Sequence, residues 1–162
     1  FAKHPLIAVA SDGSSVSTEG VLSAGKPHPR SYGTNPRFIQ KFVNEKKLLS
    51  IQEAIRKMTS MPAQRLGLTN RGRLTPGYAA DIVIMDLPNV EEKATFVDPH
   101  QYPKGITHVI VNGEIVIKDE EFTGKTPGKM ITNFNSSIAR SNLHVTINIT
   151  VISNQDLAII RI

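Results

Sequence analysis

The sequence predicts an α/β segment followed by a β-rich one, and three observations carry that expectation. A continuous apolar run, Leu6-Ile7-Ala8-Val9-Ala10, stands near the start. Apolar residues then recur at three- and four-residue spacing between residues 36 and 58, the period of helices with one buried face. After Gly67 the period becomes two, the period of strands. A chain of 162 residues suffices for one ordinary domain or two small ones, with a core that needs no covalent staples.

Taken in order, Leu6–Ala10 has the continuous apolar character of a strand buried on both faces, and it ends at Ser11-Asp12-Gly13. From Ser14 to Pro36 the chain is rich in Ser, Gly and Pro, without period, and reads as a long loop. Phe38, Ile39, Phe42 and Val43 predict a helix over 36–46. Ser50-Ile51-Gln52-Glu53 has the form of a capping box, and Ile51, Ala54, Ile55 and Met58 make the buried stripe of a second helix. Ser60, with Pro62 two positions on, is placed to cap a third short helix that stops at Gly67. Thr75-Pro76-Gly77 signals a turn, and Asp81 to Asp86 brackets a strand. Thr107 to Lys118 predicts a hairpin, because Asn112-Gly113 between two β-branched runs favours a type I′ turn.

Composition changes near residue 131: all 11 glycines and 10 prolines precede it. Beyond it the only charged side chains are Arg140, Asp156 and Arg161, and Val145, Ile147, Ile149 and Val151 alternate with polar residues. The expected division is residues 1–68, 69–131 and a β-prone tail, 132–162, whose alternating run demands a sheet partner.

Several function classes fall away. Without cysteine there is no disulfide scaffold, thiol nucleophile or thiolate zinc finger. Lys plus Arg (19) exceed Asp plus Glu (14) for a net +5, but the excess is spread along the chain, so nucleic acid is not an expected partner. No run approaches the ~20 apolar residues that span a bilayer, so no membrane partner is expected, and a cytoplasmic location is. The start at Phe1, almost directly before the first strand-like run, suggests a piece of something longer.

Asp12 is the most interesting acid, since carboxyl ends of parallel strands are where α/β enzymes place reactive groups, and Gly13 lets the chain turn beside it. A carboxylate there can hold a metal or move a proton, and the same position also suits a residue that merely caps a turn. His28-Pro29-Arg30-Ser31-Tyr32-Gly33-Thr34 sets an imidazole, a guanidinium and a phenol in one proline-stiffened loop. Arg30 has the planar fork that binds carboxylates through two parallel hydrogen bonds, although a solvated loop of turn residues reads equally well. The five histidines, at 4, 28, 100, 108 and 144, show neither H-x-H nor H-E-x-x-H, so no complete metal site is expected. Asp98-Pro99-His100-Gln101-Tyr102-Pro103 reads as a rigid corner, and Asp81 and Asp86 as strand ends.

Val9-Ala10-Ser11-Asp12-Gly13 and the segment from His28 to Thr34 together resemble the late part of the N-acyl-D-amino-acid deacylases, or D-aminoacylases, of the amidohydrolase superfamily. The resemblance continues through residues 49–68, 71–86, 94–103 and 106–128 in order, and covers residues 3–131. It implies the last strand and outer helices of a TIM-type metal-dependent barrel, with Leu6–Ala10 as that strand, followed by part of a small β-sandwich. It implies that Asp12 is the catalytic aspartate and that Arg30 grips the carboxylate of the N-acyl-D-amino acid substrate, with Gly13, His28 and Tyr32 at the same site. The family's zinc ligands come from earlier barrel strands, so zinc binding and activity are not expected of this chain alone. The Asp12 to Arg30 spacing is long for the family, and residues 132–162 match nothing in it. A second reading is a non-catalytic β-rich domain that forms homo-oligomers, or pairs with another chain, through exposed strand edges or through Leu143–Ile152.

Overall fold

The computed structural model describes residues 1–129, 131, 151–154 and 157–161. Helices come first and an antiparallel sheet follows, which is the expected order.

Helix α1 (Arg30–Ile39) begins six residues before the predicted start at 36. Pro29 already holds helical dihedrals, and the His28 Nδ1 accepts the Arg30 N–H at 3.0 Å, so one of the helix's orphan donors is satisfied from outside. Of the segment from His28 to Thr34, expected as loop, residues 30–34 are therefore the first turn of this helix and His28 and Pro29 lead into it. Pro36, inside α1, has no N–H to donate, and beyond Ile39 the chain widens into a π-helical segment, Gln40–Glu45. The rings of Phe38 and Phe42 meet at 5.0 Å on the expected apolar face. Before α1 the predicted loop carries one short 3₁₀ turn, Gly20–Ser23.

Helix α2 (Ile51–Met58) starts where its capping signal predicts, with the Ser50 hydroxyl accepting the Glu53 N–H at 3.2 Å. Ala54, Ile55 and Met58 are buried as the stripe requires, and so is Lys57. Helix α3 (Ser60–Arg65) takes the buried Thr59 as its N-cap, one residue before the expected Ser60. Gly67, at φ 71°, supplies the left-handed residue that ends it.

The strands are β1 (Ile82–Asp86), β2 (Ile106–Val111), β3 (Glu114–Lys118), β4 (Glu121–Phe122), β5 (Val151–Asn154) and β6 (Leu157–Arg161). They form one antiparallel sheet in the order β4-β3-β2-β1-β6-β5. The β2–β3 hairpin turns at Asn112 (φ 48°) and Gly113 (φ 85°), both left-handed, as a type I′ turn needs. On β1, Val83 and Met85 point inward and meet Ile39, Ala54, Ile55 and Met58, so one core joins helices to sheet. Helix α1 and the segment after β1 also meet closely at Gly33, where an added Cβ would lie 2.6 Å from the Glu92 Cγ. That close approach lets Glu92 pair with Arg37 at 2.8 Å and donate its N–H to the Gln40 side chain at 2.9 Å.

Two expectations change. Leu6–Ala10 is not a strand here: a strand is made by a neighbouring ladder, and this segment instead gives its Val9 N–H to the Lys57 carbonyl at 3.0 Å. Asp81 does more than end a strand. It is 1% exposed, its Oδ2 faces Arg71, and its Oδ1 accepts the Asn112 N–H at 2.7 Å, fixing the hairpin turn from beneath. In the tail, β6 pairs with β1 of the same chain over Leu157–Arg161. The alternating run at 145–150 lies outside the described residues, as does most of Leu143–Ile152.

Candidate active site

The two residues singled out for chemistry, Asp12 and Arg30, are far apart in sequence and in contact in space. The Arg30 guanidinium meets the Asp12 carboxylate at 2.9 Å, with side chains 45% and 87% exposed. The backbone explains each position. Asp12 takes φ 48°, a left-handed conformation that short polar side chains adopt more readily than others, and this turns the chain out of the segment from Leu6 to Ala10. Gly13 next to it is needed for space rather than for turning, because a Cβ there would lie 2.9 Å from the Ser31 Cα. The chain after Asp12 therefore lies directly on the first turn of α1, and Arg30 projects from that turn.

A shallow polar pocket opens beside the pair, lined by Ser11, Gly13, Ser14, Ser31, Thr34 and Asn35 together with Arg30, Tyr32 and Val16. Of the other expected site residues, Gly13 and Tyr32 line this pocket and His28 does not. His28 spends its Nδ1 on the Arg30 N–H and sets its ring against Phe96 at 4.8 Å. Tyr32 donates its hydroxyl to the Ser17 carbonyl at 2.7 Å, tying the loop before α1 to the helix, and its ring sits edge-on to His100 and Tyr102. Burial, and secondarily the Tyr102 phenol, push the Tyr32 hydroxyl above its ordinary pKa. At the expected corner, residues 98–103, Thr95 accepts the Asp98 N–H at 2.9 Å, and the Gln101 amide donates to the Asp98 carboxylate at 2.7 Å.

Chemically, one exposed carboxylate and one exposed guanidinium over a polar hollow can bind an anion and transfer a proton next to it. They do not hold a metal by themselves. Among the described residues no three His, Asp or Glu side chains gather into a set that could bind a metal ion. Sequence reasoning missed Lys57 and Gly33. Lys57 is adjacent to Ala54 and Met58 on the helix surface, at the flank of the buried stripe, and that spacing was the available signal for it. Among the described residues no helix is long and apolar enough to cross a membrane.

A family model described as the amidohydrolase family matches residues 23–117, which include Arg30 and all three helices, and the chain belongs to that family. Its relatives narrow the class. The chain is 41% identical over 128 residues to an N-acyl-D-aspartate deacylase of Alcaligenes xylosoxydans xylosoxydans, covering 79% of this chain and 24% of that protein. It is 37% identical over 116 residues to a D-aminoacylase of the same organism, covering 72% of this chain and 24% of that one. Among solved structures it is similar to an N-acyl-D-glutamate deacylase from Bordetella bronchiseptica, complexed with zinc and a phosphonate mimic of the tetrahedral intermediate. There the TM-score is 0.62 at 37% identity, over 70% of this chain and 22% of that one. The chain thus spans about a quarter of the length of the curated relatives it matches.

Proposed function

We propose that these residues are the C-terminal part of a metal-dependent hydrolase that cleaves the amide of N-acyl-D-amino acids to a carboxylate and a free D-amino acid. The observation that carries the reading is the contact of Asp12 with Arg30 at 2.9 Å, in a chain whose relatives are deacylases of N-acylated D-amino acids. Arg30 binds the substrate's α-carboxylate through the two edges of its fork, in competition with the Asp12 carboxylate that occupies it here. Asp12, released from Arg30 and next to the scissile amide, takes a proton from the attacking water and delivers it to the leaving nitrogen. The carbon–nitrogen bond breaks as the water oxygen bonds to the acyl carbon.

Zinc, present in the related N-acyl-D-glutamate deacylase, supplies an activated water in such hydrolases. The described residues do not build its site, so its ligands belong to the rest of the protein, with Asp12 at most a single donor. In the whole protein the segment from Leu6 to Ala10 takes the place of a last barrel strand, α1 to α3 form outer helices, and the sheet contributes to a β-sandwich. The alternative of a self-associating β-domain is not favoured by relatives that are all hydrolases.

The test is a substrate panel on the complete protein. An N-acetyl-D-amino acid should release free amine, while its L-enantiomer and the D-amino acid amide, which lacks the carboxylate, should be poor substrates. Equal turnover of the carboxylate-free compound would remove the role given to Arg30.

A further inference from the structure

Lys57 is a charged side chain in the wrong place for a charge. It lies on α2, 1% exposed, beside core residues Ala54 and Met58. An ammonium withdrawn from water must have its three donors satisfied, and the partners it has chosen are informative. It donates to the His4 carbonyl, and to the Ile7 carbonyl at 3.0 Å, with the Glu53 carboxylate at 3.6 Å. Its own backbone carbonyl receives the Val9 N–H at 3.0 Å. The neighbouring Arg56 donates to the Pro5 carbonyl at 3.0 Å. Two consecutive residues of one helix therefore hold main-chain groups of residues 4, 5, 7 and 9.

That segment has no ladder of its own among the described residues. Its other hydrogen bonds are local, with the His4 N–H donating to the Phe1 carbonyl at 2.8 Å, the Leu6 N–H to His4 Nδ1 at 3.3 Å and the Ile7 N–H to the His4 carbonyl at 3.2 Å, and its Val9 side chain packs against the core. Asp12 follows Val9 by three residues, while Arg30 stands on a different element, α1.

We propose that Lys57, assisted by Arg56, is a positioning residue that fixes the segment leading to Asp12 and so sets where the Asp12 carboxylate stands relative to Arg30. Backbone carbonyls require a donor, which an apolar side chain of the same length lacks, and this accounts for a cation in a core position. The inference rests on the reading of Asp12 as the proton-transferring group.

The experiment compares the complete protein with its Lys57→Met and Lys57→Arg variants by amide hydrogen exchange and by kinetics. In Lys57→Met, amides of residues 4–12 should exchange about 10-fold faster or more while those of β1 and β2 keep their protection. For an N-acetyl-D-amino acid, kcat should fall by about 10²-fold, the scale of an ångström's misplacement, with KM unchanged because Arg30 is held by α1. Lys57→Arg, which keeps the donors, should recover part of kcat. Unchanged exchange at 4–12, unchanged kcat, or protection lost equally throughout the sheet would each overturn the proposal. If Lys57→Met does not fold, Arg56→Ala, whose native side chain is 41% exposed, should still speed exchange at residues 4–7, and no change there overturns it. If the unaltered protein hydrolyses no N-acyl-D-amino acid, the reading of Asp12 fails, and the exchange comparison alone decides the clamp.

Discussion

Asp12 was legible as a candidate because an acid directly after a continuous apolar run is placed at an element's end, where side chains reach a common face. Its partner was legible only as a residue type. Nothing in the spacing of Asp12 and Arg30 says that they touch; that follows from Gly13, whose missing Cβ lets the chain lie on Ser31. His28, expected at the same site, has its Nδ1 engaged by the Arg30 N–H at the start of the helix that carries the guanidinium. Tyr32 likewise braces the loop through Ser17, and its environment has a measurable signature. Because its pKa is raised above 10.0 in the folded chain, the fold binds that proton more tightly than the unfolded chain does. Its contribution to stability is therefore present in full below pH 10 and is lost as pH rises through the folded value. A thermal-unfolding series from pH 8 upward should show this alkaline loss, and Tyr32→Phe should show less of it.

At the scale of elements, helices with strong local signals stand where the sequence puts them, and those shaped by tertiary contact do not. Ser50 and Glu53 form their cap from sequence neighbours alone, and α2 begins as predicted. Helix α1 begins six residues early because its start depends on Pro29 and on the His28 side chain, while its apolar period is visible only from Phe38. The strand expected at Leu6–Ala10 depends on neighbours that these residues do not supply, so the apolar run stands here without a ladder. Gly33 tests how α1 meets the segment after β1. Replacing a helical glycine by alanine ordinarily stabilises a helix by roughly 0.5–1 kcal/mol. Here the new Cβ would lie 2.6 Å from the Glu92 Cγ, and moving Glu92 breaks its pairing with Arg37. Overpacking of that kind costs about 1–3 kcal/mol, so Gly33→Ala should lower the unfolding midpoint in denaturant, and a raised midpoint would refute the contact.

The whole molecule is an assembly of two halves around one core, in which Val83 and Met85 of the sheet meet Ile55 and Met58 of α2. The buried Asp81, with Arg71 and Asn112, locks the hairpin to the strand beside it. Such a scaffold holds one acid and one cation beside a polar hollow, in a chain that belongs to the amidohydrolase family. It presents one carboxylate where an amide-cleaving centre needs an activated water as well, and it spans about a quarter of its relatives' length. In the proposed reaction Asp12 moves the proton while Arg30 holds the substrate. The most direct measurement is the turnover of an N-acetyl-D-amino acid by the complete protein and by its Asp12→Ala variant at matched zinc content, with the isolated 162-residue chain as the blank. In the variant kcat should fall by about 10²–10⁴-fold, while KM should not rise, because Arg30 is intact and has lost the carboxylate that competes for it. An Asp12→Ala protein that turns over at the unaltered rate would contradict it.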